Sequence, residues 1–218
     1  MKHDIAFLHT SPVHVPTFEK LMREVAPNLK ASHLVREDLL ADALRDGIQG
    51  AALISRIEDA MRDAGASGAL VVVCTCSTIG GVAEAMERGT AFKAARIDRA
   101  MADKAVSDGR PVLMVAALES TLEPTMALLQ TSAKRLGTNP RIDKLVVNGA
   151  WEHFLSGERE KYIDAIVSAV SSIDASSSVV VLAQASMAPA ASALEMFGIT
   201  ALSSPRLGVE HAVSLRSR

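Results

Sequence analysis

The chain has 218 residues, of which 49% are hydrophobic and only 3% are aromatic. This length and hydrophobic content argue against disorder and predict a substantial core, arranged as one large domain or as two lobes of roughly 100 residues each. The formal net charge is −2, with acidic and basic residues interspersed, so the sequence carries no electrostatic footprint for nucleic acid or an anionic membrane. We therefore expect small-molecule partners, no nucleic acid and no membrane.

The sequence also bears on compartment and cofactors. No apolar run approaches the roughly 18 residues of a membrane span, and the N-terminal residues lead into a strand-like stretch rather than a signal peptide, which predicts a cytoplasmic protein. The two cysteines, Cys74 and Cys76, are separated by one residue, a spacing that strains a disulfide and cannot supply four zinc ligands. The sequence has no glycine-rich phosphate motif and no metal-ligand spacing, so we expect neither a cofactor nor a metal.

Short apolar runs, many of them β-branched, alternate with longer amphipathic segments along the chain. The short runs are typical of strands buried on both faces of a parallel sheet. They lie at residues 5–8, 69–73, 112–116, 145–147 and 179–182. The longer segments are predicted helices at residues 16–25, 39–64 (one or two helices), 82–107, 124–136, 158–172 and 189–197. The alternation predicts an α/β fold with parallel sheets and a ligand site beyond the carboxyl ends of the strands.

The sequence contains an internal duplication. Residues 5–18 align with residues 113–126, an offset of 108. At the same offset, residues 72–78 fall on residues 180–186, again a buried strand that runs into a small polar turn. A shift of 109 between two other helical segments indicates a small insertion in one half, so the pairing of the loops stays open. The duplication predicts two similar lobes, related by pseudo-twofold symmetry, whose strand-end loops surround a shared cleft.

A linker near the sequence midpoint separates the two predicted lobes. Residues 107–111 combine serine, aspartate, glycine, arginine and proline, a composition typical of a connecting segment. We therefore predict a first lobe at residues 1–107 and a second lobe at residues 108–199. We leave open that the C-terminal tail, about residues 200–218, packs back on the first lobe.

Cys76 lies where a predicted buried strand ends and a helix begins, and it is followed by Ser77, Thr78 and then two glycines. Glycines let backbone N–H groups approach a ligand closely, and a helix N-terminus favours a thiolate, a carboxylate or a phosphate. We therefore interpret Cys76 as a functional thiol. Cys74 lies inside the strand, where a buried structural cysteine is a common core residue, and we interpret it in that way.

The two strand-turn motifs resemble those of the aspartate/glutamate racemase superfamily, which includes hydantoin racemases, maleate isomerases and arylmalonate decarboxylases. The superfamily's first half carries a strand followed by Cys-(Asn or Ser)-Thr, and this chain has Cys-Ser-Thr at residues 76–78. The second half carries a strand followed by Gly-Cys-Ala/Thr, and this chain has Ala-Gln-Ala at residues 183–185. The resemblance runs over nearly the whole chain and implies two similar α/β lobes, each with a parallel, about four-stranded sheet flanked by helices.

The resemblance also implies a cofactor-independent isomerase that acts at a carbon next to a carboxylate or amide, on a small carboxylate-bearing or hydantoin-like substrate. In the superfamily's two-base scheme, one thiolate removes the α-proton and an opposing thiol reprotonates the other face. This chain has Gln184 where the second cysteine is expected, and a carboxamide does not exchange protons near neutrality. Gln184 still donates and accepts hydrogen bonds, so we predict that it orients a carboxylate or stabilises an enolate-like oxygen.

The predicted cleft loops offer hydroxyl groups that can bind carboxylate oxygens, although an ordinary turn or cap role is the alternative for each. These side chains are Thr10, Ser11, Ser77, Thr78, Ser120, Thr121 and Ser186. The turn at residues 203–205 is a further, weaker candidate for holding an anion.

Two histidines flank the first of these loops. His9 and His14 are each a candidate acid or base to replace the missing thiol, with His9 the leading one. Glu119 is interpreted as a solvated loop carboxylate rather than a catalytic acid. The aromatic segment at residues 151–154 is interpreted as packing in the second lobe.

Three functions stay open at this point. The first is an isomerase of racemase type that uses Cys76 as its single thiol. The second is a cofactor-free lyase, in which one thiol protonates a planar intermediate after carbon dioxide leaves, as the resemblance to arylmalonate decarboxylases allows. The third is a non-catalytic protein that binds small carboxylates. The oligomeric state is also open, since alanine-rich, weakly charged helices are compatible with a homodimer.

Overall fold

The computed structural model describes residues 3–86 and 90–217, in which parallel strands alternate with helices. The first sheet contains β1 (Ile5–His9), β2 (Ala31–Val35), β3 (Val71–Cys74) and β4 (Lys93–Arg96), in the order β2-β1-β3-β4. The second sheet contains β5 (Val112–Ala116), β6 (Ile142–Val146), β7 (Val179–Leu182) and β8 (Ala201–Ser203), in the order β6-β5-β7-β8. The predicted α/β class, with two parallel four-stranded sheets flanked by helices, is confirmed.

Helices connect the strands of each sheet. Those that precede β5 are α1 (Val15–Val25), α2 (Glu37–Asp46), α3 (Ala51–Gly65), α4 (Gly80–Ala85) and α5 (Arg99–Val106). Those that follow β5 are α6 (Leu122–Leu136), α7 (Ala150–Leu155), α8 (Arg159–Ser171), α9 (Ala188–Glu195) and α10 (Ser204–Arg216). The single helix predicted at residues 82–107 is wrong, because strand β4 separates α4 from α5.

The central strands of each sheet explain why the sequence pattern predicted them. Every residue of β1, β3, β5 and β7 is buried, which requires continuous apolar runs. The outer strands differ, since all residues of β2 are half-buried and β6 exposes Asp143 and Lys144. Polar residues therefore interrupt the apolar runs of the outer strands, and the sequence pattern missed β2, β4 and β8.

The contacts within the chain divide it into two compact units. The first unit contains β1 to β4 and is completed by α10, whereas the second unit is the continuous segment Arg99–Ser204. The predicted boundary between residues 107 and 108 places α5 in the first lobe, whereas the contacts place it in the second unit. There α5 packs against β7 and α6.

Helix α10 is an integral part of the first unit. Its Val209 and Ala212 are buried in one core cluster with Ile5 and Phe7 of β1. Gly208 lies so close to Ile97 that a Cβ atom there would overlap the Ile97 carbonyl oxygen, so only glycine permits this approach. The first unit is therefore built from two separate stretches of sequence.

The two units have the same strand pairing, which gives a more exact alignment of the two halves than the sequence did. Ile5 pairs with Val71 in the first sheet, and Val112 pairs with Val179 in the second. Strand β5 thus corresponds to β1 at an offset of 107, one less than the sequence alignment gave, while β7 corresponds to β3 at the predicted offset of 108. The single-residue difference changes which loop residues are equivalent.

Candidate active site

The turn that carries Cys76 follows the central strand β3. The backbone N–H of Thr75 donates to the carbonyl oxygen of Leu8 in β1 at 2.9 Å, which extends the pairing of the two strands by one residue. Cys76 comes next and is half-buried, and Ser77 and Thr78 are buried behind it. Helix α4 begins only at Gly80 and has six residues, so Cys76 lies in the turn before the helix rather than at its first residue.

Cys74 has the surroundings of a core residue. Its side chain is fully buried, and its Sγ–H group donates to the carbonyl oxygen of Cys76 at 3.7 Å. Burial raises the pKa of the Cys74 thiol, and the neighbouring Cys76 raises it further. Cys74 therefore stays protonated, which leaves Cys76 as the thiol with access to solvent.

A buried ion pair that the sequence analysis missed lies beside the Cys76 turn. Arg96 at the end of β4 donates to both carboxylate oxygens of Asp98, at 2.6 Å from Nε and 3.0 Å from Nη2, and both side chains are buried. Arg96 Nη2 also donates to the carbonyl oxygen of Ser77 at 3.3 Å. A Cβ at Gly80 would lie 3.2 Å from the Arg96 Cβ, so the glycine allows the turn to pack closely against the arginine side chain. The ion pair thus fixes the backbone that follows Cys76.

His9 lies at the end of β1 and is fully buried. Its Nδ1 forms a hydrogen bond of 2.9 Å with Thr75 Oγ1, and its Nε2 forms one of 2.9 Å with Nδ1 of His33 on β2. Burial, and then the charges of His33 and His14, lower the pKa of His9 to about 3. His9 is therefore neutral near pH 7, with both ring nitrogens engaged inside the protein. This environment disfavours the acid-base role that the sequence predicted for it.

The loop after β1 holds the remaining candidates of the first unit. Thr10 is buried and Ser11 is half-buried. His14 ends the short 3-10 turn Pro12–His14, and burial lowers its pKa to about 4. Parallel strands bring their carboxyl ends to one edge, so β1 and β3 place Thr10 and Cys76 along the same edge of the first sheet.

Gln184 occupies in the second unit the position that Cys76 occupies in the first. The backbone N–H of Ala183 donates to the Val115 carbonyl oxygen at 2.9 Å, which reproduces the bond from Thr75 to Leu8. Gln184 follows directly and is buried. Its Oε1 accepts a hydrogen bond of 2.7 Å from the backbone N–H of Ala117, which fixes the orientation of the amide. Among the described residues, its Nε2 has no hydrogen-bond partner.

The hydroxyl groups of the second unit are held in different ways. Thr121 is buried at the end of the 3-10 turn Glu119–Thr121, and the Oγ of Ser120 is buried without a partner in the described part of the chain. Ser186 Oγ lies 2.8 Å from the hydroxyl of Tyr162, a tyrosine whose pKa is raised to about 12 by burial. Ser186 is therefore tied to α8, whereas Ser120 offers a free hydrogen-bonding atom.

The structure gives the pairing of the two loops, which the sequence left open. At the observed offset of 107, Thr10 corresponds to Ala117, and the turn Pro12–His14 corresponds to Glu119–Thr121. Ser120 is therefore the counterpart of Val13, which has no hydroxyl group. The two loops share a backbone shape, but they do not share their polar side chains.

Three minor candidates have simpler surroundings. Glu119 is exposed, as expected for a solvated carboxylate, and Ser204 is fully buried at the start of α10. Trp151 stacks on Phe154 with ring centroids 4.7 Å apart, and both pack against the second core, as predicted. The anion-holding role of the turn at residues 203–205 stays a prediction.

The described residues were also compared with the patterns of membrane-spanning helices and metal sites. No helix in the described ranges is long and apolar enough to cross a bilayer. Residues 3–86 and 90–217 also contain no group of three or more His, Cys, Asp or Glu side chains that is arranged to hold a metal ion.

Comparison with known proteins identifies the fold. No protein-family model matches the sequence, and a search of curated proteins found no match. Among solved structures, glutamate racemase from Francisella tularensis in complex with D-glutamate matches with a TM-score of 0.72 at 14% identity, over 98% of this chain and 81% of that one. This chain has the fold of the aspartate and glutamate racemases.

Two further similar structures are of proteins that are named for other reactions. Allantoin racemase from Pseudomonas fluorescens matches with a TM-score of 0.66 at 17% identity, over 97% of this chain and 90% of that chain. A glycine-to-cysteine mutant of arylmalonate decarboxylase, in its sulfate-associated form, matches with a TM-score of 0.61 at 18% identity, over 98% and 93%. These likenesses support, at the level of the fold, the superfamily resemblance that the strand-turn motifs carry.

Proposed function

We propose that this chain is a cofactor-independent isomerase of racemase type, in which Cys76 is the only thiol that exchanges protons with the substrate. The observation that carries the proposal is the equivalence of Cys76 and Gln184. Each is the second residue after a central strand. The residue before each one donates its backbone N–H to a carbonyl oxygen of the neighbouring central strand, with an N···O distance of 2.9 Å. A fold used by racemases thus carries a thiol at one of these positions and a carboxamide at the other.

Cys76 supplies the proton transfer in this scheme. Its thiolate takes the α-proton of a substrate and becomes a thiol, and the electron pair of the broken C–H bond is delocalised onto the adjacent carbonyl or carboxylate oxygen. Return of the same proton, or of one exchanged with water, regenerates the thiolate. Such chemistry needs an acidic α-carbon, which small carboxylates and hydantoin-like imides provide. Thr10, Ser11, Ser77 and Thr78 lie on the loops beside this thiol and are the proposed hydrogen-bond donors of the first unit.

Gln184 supplies a hydrogen-bond donor and no proton. Because its Oε1 is bound to the N–H of Ala117, the group left over is the Nε2 amide, which only donates. A buried donor without a partner costs about 1–3 kcal/mol, so an acceptor that meets it recovers that free energy. A carboxylate or an enolate-like oxygen is such an acceptor. Ser120, Thr121 and Ser186 complete the proposed polar groups of the second unit.

A deuterium-exchange assay tests this proposal. Candidate α-amino acids, hydroxy acids and hydantoins are incubated with the protein in deuterated water, and α-proton loss and enantiomer composition are followed together. Because one thiol returns the proton to the face from which it took it, we expect exchange with retention of configuration to be much faster than racemisation in the unmodified protein. The Gln184→Cys variant places a thiol at the second position, and racemisation should then rise relative to exchange.

Gln184→Ser is the matched control, because serine has the size of cysteine without a readily transferred proton. It should leave racemisation low. Efficient racemisation of either enantiomer by the unmodified protein would contradict the single-thiol scheme. Absence of exchange with every compound of the panel would contradict the isomerase proposal.

Ligand binding is tested separately by thermal shift. Carboxylate ligands at about ten to a hundred times Kd should stabilise the protein by roughly 1–3 kcal/mol. Gln184→Glu keeps an oxygen acceptor for the Ala117 N–H but removes the amide donor and adds a negative charge, so this variant should lose the response. A response to nucleotides but to no carboxylate would contradict the substrate class.

A decarboxylating lyase is the second candidate function. A single thiol is enough to protonate a planar intermediate after carbon dioxide leaves, and arylmalonate decarboxylase is among the similar structures. Release of carbon dioxide from substituted malonates, lost in Cys76→Ser, would favour the lyase. Binding of carboxylates without exchange or decarboxylation would instead identify a non-catalytic carboxylate-binding protein.

A further inference from the structure

A chain of three side chains lies behind the turn that carries Cys76. His33 on β2 is half-buried, His9 at the end of β1 is fully buried, and Thr75 is the residue that precedes Cys76. His33 Nδ1 and His9 Nε2 are 2.9 Å apart, and His9 Nδ1 and Thr75 Oγ1 are also 2.9 Å apart. The three side chains thus link the outer strand of the first sheet to the Cys76 turn.

The hydrogen bond from Thr75 to Leu8 determines the direction of the other two. The Thr75 hydroxyl donates its single hydrogen to the Leu8 carbonyl oxygen at 3.2 Å, so Oγ1 can only accept from His9 Nδ1–H. A neutral His9 that is protonated at Nδ1 has an acceptor at Nε2, and His33 therefore donates from its own Nδ1–H. Both histidines are thus fixed as the Nδ1–H tautomer.

The chain of hydrogen bonds ends on a backbone carbonyl and not on the thiol. The Leu8 carbonyl receives both the N–H and the hydroxyl of Thr75, at 2.9 and 3.2 Å. It therefore holds Thr75 by two bonds, and the arrangement offers no route for a proton to Cys76.

The histidine rings are stacked, which limits their rotation. His9 and His33 have ring centroids 5.2 Å apart at an interplanar angle of 14°, and Phe7 stacks on His33 at 5.4 Å. Phe18 of α1 closes on His9 at 5.3 Å. The rings share one face of the sheet with Phe7, whereas Cys76 packs with Leu8 and Cys74 against the core cluster on the other face. The histidines therefore act on Cys76 through the backbone and not by contact.

We infer that His33, His9 and Thr75 are positioning residues that hold the Cys76 turn in its reactive geometry, a role that rests on the proposed function of Cys76. A nucleophile or base loses much of its effectiveness when its supporting residues let it move by a fraction of an ångström. Thr75 lies next to the thiol, His9 holds the hydroxyl of Thr75 through its Nδ1–H, and His33 holds the ring of His9 by donating to its Nε2. His9 does this through its hydrogen bonds rather than through a charge, since burial lowers its pKa and holds it neutral near pH 7.

Paired variants separate positioning from folding. Thr75→Val keeps the shape of the side chain and removes the hydroxyl, whereas Thr75→Ser keeps the hydroxyl. His33→Phe keeps the stacked ring and removes the Nδ1–H donor, whereas His33→Asn places an amide donor near the position of Nδ1. For each variant we measure the alkylation rate of Cys76 by iodoacetamide and the α-proton exchange rate, at a temperature where thermal unfolding shows the protein folded.

We expect Thr75→Val and His33→Phe to slow alkylation of Cys76 at least threefold and to lower the kcat of exchange at least fivefold, with KM within twofold. Thr75→Ser and His33→Asn should stay within twofold of the unmodified protein. If all four variants alkylate at the unmodified rate, the positioning role is refuted even where their melting temperatures fall. This arm does not depend on the substrate, so it decides the inference even if the isomerase proposal fails.

The tautomers give a test on the unmodified protein. Long-range ¹⁵N–¹H correlation spectra near pH 7 should show both histidines neutral and protonated at Nδ1, whereas the Nε2–H tautomer prevails for free histidine. In Thr75→Val, the Nδ1–H signal of His9 should shift or its tautomer should change. An Nε2–H tautomer for His9 in the unmodified protein would overturn the directed chain.

Discussion

The turn after β3 and the turn after β7 have the same backbone hydrogen bond but differ in what surrounds them. Beside Cys74, the neighbouring strand carries Arg96, which forms a buried ion pair and donates to the Cys76 turn. Beside Leu182, the equivalent position carries Ser203. The first turn is thus supported by a buried ion pair, and its Thr75 is hydrogen-bonded to the buried His9. The second turn is supported by the neutral amide of Gln184.

This difference shows how a duplicated fold can separate two tasks. The first turn keeps the thiol and a rigid polar support, which suits proton transfer. The second turn carries Gln184 in place of a thiol and presents an amide donor, which suits binding of an oxygen atom. Each of the following predictions alters one feature of the first turn or of the residues that support it.

The largest effect is expected at the thiol. Cys76→Ser should lower α-proton exchange by about 10²–10⁴-fold, the range that a positioned acid or base contributes. Exchange rates in deuterated water measure this loss directly. Cys74→Ala is the control, because Cys74 is buried and its burial-raised pKa keeps it protonated. If Cys74→Ala abolishes exchange and Cys76→Ser does not, the roles of the two cysteines are reversed.

The next effect concerns the ion pair under the first turn. Arg96→Met leaves Asp98 buried without its partner, which should lower the free energy of unfolding by about 3–5 kcal/mol. Urea denaturation measures the change. The double variant Arg96→Met/Asp98→Leu removes both charges and should recover most of the stability. A single variant that costs less than about 1 kcal/mol would show that the pair is not desolvated, contrary to its burial.

The smallest effect is a dependence of stability on pH. Folding lowers the pKa of His9 to about 3 and that of His14 to about 4, in both cases through burial. Below pH 6.5 the unfolded chain therefore binds protons that the folded chain does not, so the stability present above pH 6.5 is lost as the pH falls. The pKa shift of His9 alone gives a slope that begins near pH 6.5 and reaches about 1.4 kcal/mol for each pH unit between about pH 5.5 and 4.

Urea denaturation at pH 7, 6 and 5 tests this slope. His9→Phe retains a stacked ring without a titrating group, so its stability should change less with pH than that of the unmodified protein. His153→Phe in the second unit is the matched control, because it makes the same substitution at a histidine outside this cluster. An equal slope in the unmodified protein and in His9→Phe would contradict the prediction.

The sequence was sufficient to predict the central strands and the two turns, because both depend on local patterns. Val179–Leu182 is a continuous apolar run, and the residues after it keep the spacing of those after β3. Strand β2 was not recognisable, since its half-buried positions include Ser32 and His33. The apolar pattern indicates burial on both faces of a sheet and becomes ambiguous at a sheet edge.

The supporting residues of the first turn depend on long-range pairing and were not recognisable. Arg96 reaches the turn because β4 pairs with β3, and His33 reaches His9 because β2 pairs with β1. His9 itself was identified, but its burial and its hydrogen bonds indicate a structural rather than an acid-base role. A histidine next to a predicted site reveals its protonation state only when its neighbours in the other strands are known.

The insertion of one unit within the other has a consequence for synthesis on the ribosome. Strands β1 to β4 are translated before the segment Arg99–Ser204, but the core that they share with Val209 and Ala212 of α10 is not complete until that segment has been translated as well. That segment is continuous, so all of it is translated while Ile5, Phe7 and Ile97 still lack their contacts with α10. Of the two units, the one whose strands are translated first is therefore the last to be completed. Its apolar core surface is exposed for longer during synthesis, which gives a chaperone that shields apolar surface more time to act on it.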